Sequence, residues 1–226
     1  MNNQNLKERK EYNLVNGCID YFNSHGGQLA LVEYPIQSVE ESQLGKNQSI
    51  PDAVVIDRNN TKNFFVEVTH FSRNQEMHSA ICKREKKILK DPLSGGPGIL
   101  DTTDLKASMS LSIAKKASKD YSQFAQIAGI EPLGYLVLGF VNADPFYDIS
   151  QHNELLCSFD DHVLYSLGLA TSCFDCIMLC AYVNVHGDWQ IKWEVIADSR
   201  MMNQLRNRYQ ISQEMKSQFN IDEGSL

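Results

Sequence analysis

The sequence lacks the features that mark membrane proteins and exported proteins. Its longest apolar run, residues 174–185, is interrupted by Asp175 and falls short of the roughly 18 residues that a membrane-spanning helix requires. The N-terminal sequence MNNQNLKERKEYN contains no apolar core of the kind found in signal peptides. From these absences we expect a soluble, cytoplasmic protein without a membrane partner.

The sequence is also short of positive charge. It contains 21 lysines and arginines against 28 aspartates and glutamates, which gives a formal net charge of −7 at pH 7. Domains that bind nucleic acid over much of their surface are usually basic, so the negative net charge argues against a protein of that class. A nuclease stays compatible with it, because a local basic groove can lie on an acidic body. The basic residues are clustered, at residues 83–90, 115–119 and 200–208.

The six cysteines show no close second pair of the kind that zinc sites usually contain. Cys173, Cys176 and Cys180 are spaced C-x2-C-x3-C, but they lie in an apolar stretch that is typical of a buried strand. Free cysteine behaves there as a small hydrophobic residue. We therefore interpret these cysteines as reduced core residues rather than as metal ligands.

The hydrophobic pattern predicts alternating helices and strands. With 42% apolar and 22% charged residues in 226, the chain has an ordinary globular composition and can bury a core without disulfides. The pattern predicts an α/β fold with a central mixed β-sheet flanked by helices. In chain order it predicts helix 5–24, strand 29–34, strands 53–56 and 63–69, a basic helix 72–90, a loop at 91–104, helix 105–128, strand 133–141, helix 151–168, strands 174–183 and 190–196, and helix 200–218.

Two carboxylates stand on the predicted hairpin. Asp52 follows Pro51 at the start of one strand, and Glu67 lies within the apolar run of the next. Strand alternation places Glu67 on the face opposite to Val66 and Val68. A carboxylate in such a run is costly to bury without a partner. A divalent cation shared by two adjacent carboxylates would relieve their repulsion, and hard oxygen ligands favour Mg²⁺ or Mn²⁺.

Pro51-Asp52, followed by Glu67-x-Thr69, resembles the signature of the PD-(D/E)xK nuclease superfamily. The superfamily core is a helix, three strands, a helix and a further strand, and the resemblance covers about residues 5–142. It implies a restriction-endonuclease-like core in a single domain over residues 1–226, with 143–226 as a C-terminal α/β extension. It also implies a metal-dependent endonuclease that hydrolyses phosphodiester bonds. Asp52, Glu67 and the Val68 carbonyl would hold the ion.

Thr69 departs from the signature, because the superfamily has a lysine at this position. In some branches, such as the viral cap-snatching endonucleases, the lysine lies on a later helix instead. Lys116 is our choice for the catalytic lysine, since it belongs to a polar stripe beside the apolar face of predicted helix 105–128. Lys119 and Lys83 are the alternatives. The stripe consists of Ser112, Lys116, Lys119 and Gln123.

Further site residues follow from the same resemblance. A third acidic ligand is common in the superfamily, and Glu33 in the strand LALVEY is our choice, with Glu11 on the first helix as the alternative. Lysines of the basic clusters would contact backbone phosphates, which supply affinity without sequence information. These nucleic-acid-binding residues are Lys83, Lys86, Lys87 and Lys119.

Several alternatives stay open at this stage. The substrate is DNA or RNA, with DNA slightly favoured because most of the superfamily acts on it. Since Thr69 breaks the signature, the chain could instead be a catalytically inactive nucleic-acid-binding or assembly module on the same fold. It could also be an unrelated α/β protein in which Glu67 is a structural acid. The C-terminal strands offer an exposed face through which copies of the chain could pair into a homo-oligomer.

Overall fold

A computed structural model of the chain describes residues 3–46, 48–71, 105–140 and 147–218. These residues form a six-stranded mixed β-sheet flanked by helices, so the predicted α/β class is confirmed. None of the helices described is long and apolar enough to cross a membrane. The elements are α1 (Asn3–Ser24), β1 (Leu29–Glu33), β2 (Ala53–Asp57), β3 (Lys62–Phe71), α2 (Leu105–Ala117), α3 (Ser122–Ala128), β4 (Gly134–Phe140), α4 (Ile149–Cys157), α5 (Asp161–Ser166), β5 (Phe174–Val185), β6 (Asp188–Ala197) and α6 (Ser199–Gln218).

The strands lie in the sheet in the same order as in the chain. β2 is antiparallel to both of its neighbours, β1 and β3. β4 is parallel to β3, β5 is parallel to β4, and β6 is antiparallel to β5. The parallel step from β3 to β4 requires a crossover, and α2 and α3 lie in the segment between these two strands. The step places these helices over the sheet on the side that carries Glu67.

Two apolar layers cover the sheet, and the alternation of β3 separates them. Val66 and Val68 pack with Val15 and Ile19 of α1 on one face. Phe65 packs on the other face among residues of α2, α3, α5 and α6. The predicted separation of Glu67 from Val66 and Val68 is therefore confirmed, and Glu67 lies on the face covered by α2.

The predicted helix 5–24 is confirmed, with its boundaries shifted by a few residues. The two predicted strand pairs, 53–56 with 63–69 and 174–183 with 190–196, are confirmed as hairpins. The turn of the second hairpin combines two residues with positive φ, His186 at 54° and Gly187 at 97°. That combination is typical of the tight turns whose twist matches an antiparallel pair. β5 and β6 consequently continue the sheet as a long two-stranded ribbon.

The prediction of one continuous helix over residues 105–128 is wrong, because the chain leaves the helix at Ala117 and re-enters one at Ser122. Asp120 accounts for the break. Its carbonyl oxygen accepts a hydrogen bond from the Ser49 amide at 3.0 Å, and its Oδ1 accepts one from the Ser122 amide at 2.8 Å. The first bond ties this segment to a loop far away in sequence, and the second satisfies a free donor at the start of α3.

The predicted helix 151–168 is likewise divided, into α4 and α5. Asp160 caps α5 by accepting a hydrogen bond from the Val163 amide at 2.9 Å. Aspartate is among the preferred N-cap residues, so this bond begins α5 as a separate helix.

The predicted basic helix 72–90 and the loop 91–104 lie outside the described residues. Lys83, Lys86 and Lys87 belong to that segment, so their proposed contacts with nucleic acid stay predictions.

Candidate active site

Asp52 is held at the entrance to β2 by the backbone of β3. Its amide donates to the Val66 carbonyl at 3.1 Å, and its Oδ2 accepts from the Val68 amide at 2.6 Å. Since Ala53 pairs with Val66 across the hairpin, Asp52 and Glu67 are neighbours on adjacent strands. The predicted pairing of these two carboxylates is therefore present in the structure.

Glu67 is a buried carboxylate with only 1% of its surface exposed. Its Oε1 accepts hydrogen bonds from the ammonium groups of both Lys116 and Lys119, the latter at 3.0 Å. Its Oε2 has no hydrogen-bond partner among the described residues. A buried charge requires a compensating charge and hydrogen bonds to all its lone pairs. Here two ammonium groups compensate the charge, and Oε2 makes no hydrogen bond of regular geometry, although the buried Tyr121 hydroxyl interacts with this carboxylate.

The two lysines reach Glu67 from different structural positions. Lys116 lies in the last turn of α2, next to the buried Ala117 that anchors this helix on the sheet. Lys119 lies beyond the end of α2, in the connection to α3, with its ammonium group 5.8 Å from the centre of the Tyr121 ring. The sequence predicts Lys119 both as a phosphate contact and as the alternative catalytic lysine, and the structure places it against Glu67 together with Lys116.

Burial and negative charge both act on Asp52. Desolvation and the neighbouring charge of Glu67 raise the pKa of Asp52 to about 6, with a smaller contribution from Glu11. The hydrogen bond from Val68 and the charge of Lys116 act in the opposite direction. The ionised form of a carboxylate that is held near other negative charges is stabilised by any cation that binds beside it.

The raised pKa of Asp52 predicts a specific pH dependence of stability. An unfolded aspartate ionises near pH 3.9, below the folded value of about 6. The wild type should therefore lose stability from this group as the pH rises from about 4 to about 6. Asp52→Asn removes this loss, so the variant should be more stable than wild type at pH 7 by up to about 3 kcal/mol, and the difference should vanish below about pH 4. Urea unfolding of both proteins across this pH range measures the difference in stability. A difference that does not change with pH would contradict its assignment to the ionisation of Asp52.

Glu33 has a different role from the predicted one. Its Oε1 accepts hydrogen bonds from the amides of Gln37 and Ser38 at 2.6 and 2.8 Å, and its Oε2 accepts from the Ser38 hydroxyl at 2.6 Å. Desolvation is outweighed by these bonds from Ser38 and Gln37, which lower the pKa of Glu33. Both of its oxygens thus stabilise the turn after β1, and this is a structural role.

Glu11 is the further acid whose charge acts on Asp52. It lies on α1 with 13% of its side chain exposed and pairs with Lys7 at 3.4 Å. Its charge contributes to the raised pKa of Asp52. The alternative third acid is therefore electrostatically coupled to the Asp52 carboxylate.

Tyr121 belongs to the site and is not among the site residues that the sequence predicts. Its side chain is fully buried, and its hydroxyl makes no hydrogen bond of regular geometry with the described residues. Desolvation, the charge of Glu67 and a side-chain interaction of the hydroxyl with the Glu67 carboxylate raise the pKa of Tyr121. The sequence signal for this hydroxyl is weak, because a tyrosine on the apolar face of a helix is typical of any core.

The site offers two adjacent carboxylates rather than a complete metal cage. Within the described ranges, no group of three or more histidine, cysteine, aspartate or glutamate side chains is placed to hold a metal ion. Mg²⁺ is commonly bound by one or two carboxylates, with water and substrate oxygens filling the other positions. Asp52 and Glu67 are two carboxylates of the kind that this mode of binding uses, and Oε2 of Glu67 makes no hydrogen bond of regular geometry.

Comparisons with protein-family models, with curated proteins and with solved structures found no match to this chain. The functional interpretation therefore depends on the geometry of the site.

Proposed function

We propose that the chain is a metal-dependent nuclease that hydrolyses phosphodiester bonds of nucleic acid. The observation that carries the proposal is the meeting of Asp52, Glu67 and Lys116 at one end of the central hairpin, with Glu67 buried and one of its oxygens unpartnered. Enzymes arrange charged groups in this way where a reaction develops charge, although structural ion pairs also perturb titration.

The fold proposed for this site is a restriction-endonuclease-like core of the PD-(D/E)xK type. The order of helix, three antiparallel strands, helices and a strand parallel to the third supports it. Asp52 precedes the second strand and Glu67 lies opposite it within the third strand, and this agrees with what the resemblance implies. β5 and β6 would then be an extension of that core.

The proposed cofactor is Mg²⁺ or Mn²⁺, held by Asp52, Glu67 and the Val68 carbonyl. Such an ion would supply positive charge to polarise the phosphate and to lower the pKa of water. The Val68 amide already donates to Asp52, so the backbone of Val68 faces the same carboxylate. Glu11 is the available third acid, while both oxygens of Glu33 are engaged elsewhere.

Lys116 takes the role that Thr69 cannot perform. Its ammonium group is held against Glu67 in the structure, within reach of a phosphate bound between the carboxylates. There it would orient the attacking water or neutralise developing charge, a task in which a fixed cation is effective because it needs no reorganisation. Lys119 holds the same oxygen and would keep Glu67 in place during this step.

A catalytically inactive nucleic-acid-binding or assembly module is the second candidate function. One observation favours it, namely that two lysines already compensate the charge of Glu67 without an ion. In such a module the ion pairs would have replaced the metal. DNA stays slightly favoured over RNA as the nucleic acid in either case.

Melting the protein with Mn²⁺, Mg²⁺ and Ca²⁺ separates the two candidates. A ligand bound only by the native state stabilises it, by about 2.7 kcal/mol at a hundredfold excess over the dissociation constant. For a chain of this size that amounts to a rise in melting temperature of several degrees. We expect the rise for wild type and for Glu33→Gln, and its loss in Asp52→Asn. A wild type indifferent to all three ions would favour the inactive module.

A further inference from the structure

The two edges of the sheet differ in how they are protected. β1 is short, its pairing with β2 is interrupted by a register shift between Leu31 and Glu33, and Pro35 follows it. β6 is ten residues long, contains no proline, and pairs only with β5 among the described strands. Exposed edges are usually blocked by short strands, bulges or proline, because they otherwise pair with another chain. The pairing of β6 with β5 shifts register only near the C-terminal end of β6, between Ile177 and Met178 of β5, and the pairing from Asp188 to Val195 is regular, with Lys192 and Glu194 as the charged residues in its centre.

An apolar stripe runs along β6 on the face shared with α1. Ile191 is 65% exposed and Trp189 and Val195 are each 37% exposed. Trp193 lies between them in the stripe, packed so closely against α1 that a β-carbon at Gly17 would overlap its ring. Trp189 also stacks on Tyr182 of β5, with ring centres 5.3 Å apart. A row of exposed apolar residues on a free edge is typical of an interaction surface.

The charges of β6 are self-complementary. Lys192 and Glu194 are half-buried on the other face of the strand, and neither forms an ion pair with a described residue. If two copies of β6 pair antiparallel with Trp193 opposite itself, Lys192 of each copy lies directly opposite Glu194 of the other. The same register places Ile191 opposite Val195. Directly opposed residues share a face in an antiparallel pair.

We propose that the chain forms a symmetric dimer through β6, with the two-fold axis passing beside Trp193. The occupant of the exposed edge is a second copy of the chain, because a second β6 provides the matching charges and the matching apolar residues in one register. The interface is isologous, so each attractive pair occurs twice. The two six-stranded sheets then continue as one. This inference does not depend on the proposed nuclease activity.

The test is a charge exchange within β6 of the full chain. Wild type should change from monomer to dimer between about 1 µM and about 200 µM in analytical ultracentrifugation. Lys192→Glu and Glu194→Lys should each raise the dissociation constant of the dimer at least about tenfold, since each places two like-charged pairs across the axis. The double variant K192E/E194K restores both attractive pairs and should dimerise like wild type. It is also the matched control, because its net charge is that of wild type.

Three outcomes would overturn this proposal. One is a wild type that stays monomeric over the whole concentration range. Another is single variants that dimerise as well as wild type, and the third is a double variant that fails to recover. Circular dichroism of each variant shows that a lost dimer does not come from lost folding. Quenching of tryptophan fluorescence by a single-stranded oligonucleotide, in a wild type that stays monomeric, would assign the stripe to nucleic acid instead.

Discussion

Replacing both Lys116 and Lys119 by methionine should lower the free energy of unfolding by about 3–5 kcal/mol. Methionine keeps most of the apolar stem of lysine but removes the charge. Glu67, with 1% of its surface exposed, would then be a buried carboxylate without a cation. Such a charge cannot reach water, so the loss is larger than the net contribution of the ion pairs themselves.

A third substitution should restore the stability that the double methionine variant loses. Adding Glu67→Gln to the double methionine variant should restore most of the lost stability, because a neutral amide needs no counter-charge. Glu67→Gln alone should cost only about 1 kcal/mol, since the lysine side chains are 15% and 30% exposed and can turn their ammonium groups to water. Urea unfolding in the presence of chelator measures all four proteins. Equal losses in Glu67→Gln and in the double methionine variant, without rescue, would contradict this asymmetry.

Lys116→Met should lower the rate of nucleic acid cleavage by about 100-fold, the effect of removing one fixed group that stabilises charge in a transition state. It should not weaken the binding of Mn²⁺, because it removes a positive charge from beside the Glu67 carboxylate and leaves that carboxylate in place. Lys115→Met is the matched control, since Lys115 is the adjacent basic residue of α2 and is exposed. Initial rates at saturating Mn²⁺ compare the three proteins. Equal loss in both variants would assign the effect to the general charge of the helix.

The hairpin and its alternation could be predicted because they depend on local pattern. Turn residues separate β2 from β3, and a period of two places Glu67 on the face opposite to Val66 and Val68. The position of Lys116 beside Glu67 was predictable for a similar reason, because Lys116 borders the apolar face of its helix. These features need no knowledge of distant contacts.

The break that places Lys119 outside α2 was not predictable in the same way. The break after Ala117 depends on the bond between Asp120 and Ser49, which are far apart in the sequence. A local pattern carries no record of such a bond, so the segment was predicted as one helix. Lys119 still reaches Glu67 from the connection between α2 and α3.

For the acidic residues Glu33 and Glu11, the local sequence pattern does not specify where the side chain points. A glutamate at the end of a strand has the same local pattern whether it points at a metal site or caps a turn. The choice is made by the backbone of residues 37 and 38, which donates to Glu33. The coupling of Glu11 to Asp52 depends on the packing of α1 against the sheet, which the sequence alone does not specify.

The most direct test of the central claim is cleavage of labelled DNA and labelled RNA by the wild-type protein in Mn²⁺, with Asp52→Ala and a chelator as controls. The account predicts cleavage by wild type, loss of cleavage in chelator, and a reduction of at least about 100-fold in Asp52→Ala. It would be contradicted by a folded wild type that cleaves neither nucleic acid. Cleavage that survives Asp52→Ala unchanged would contradict it as well.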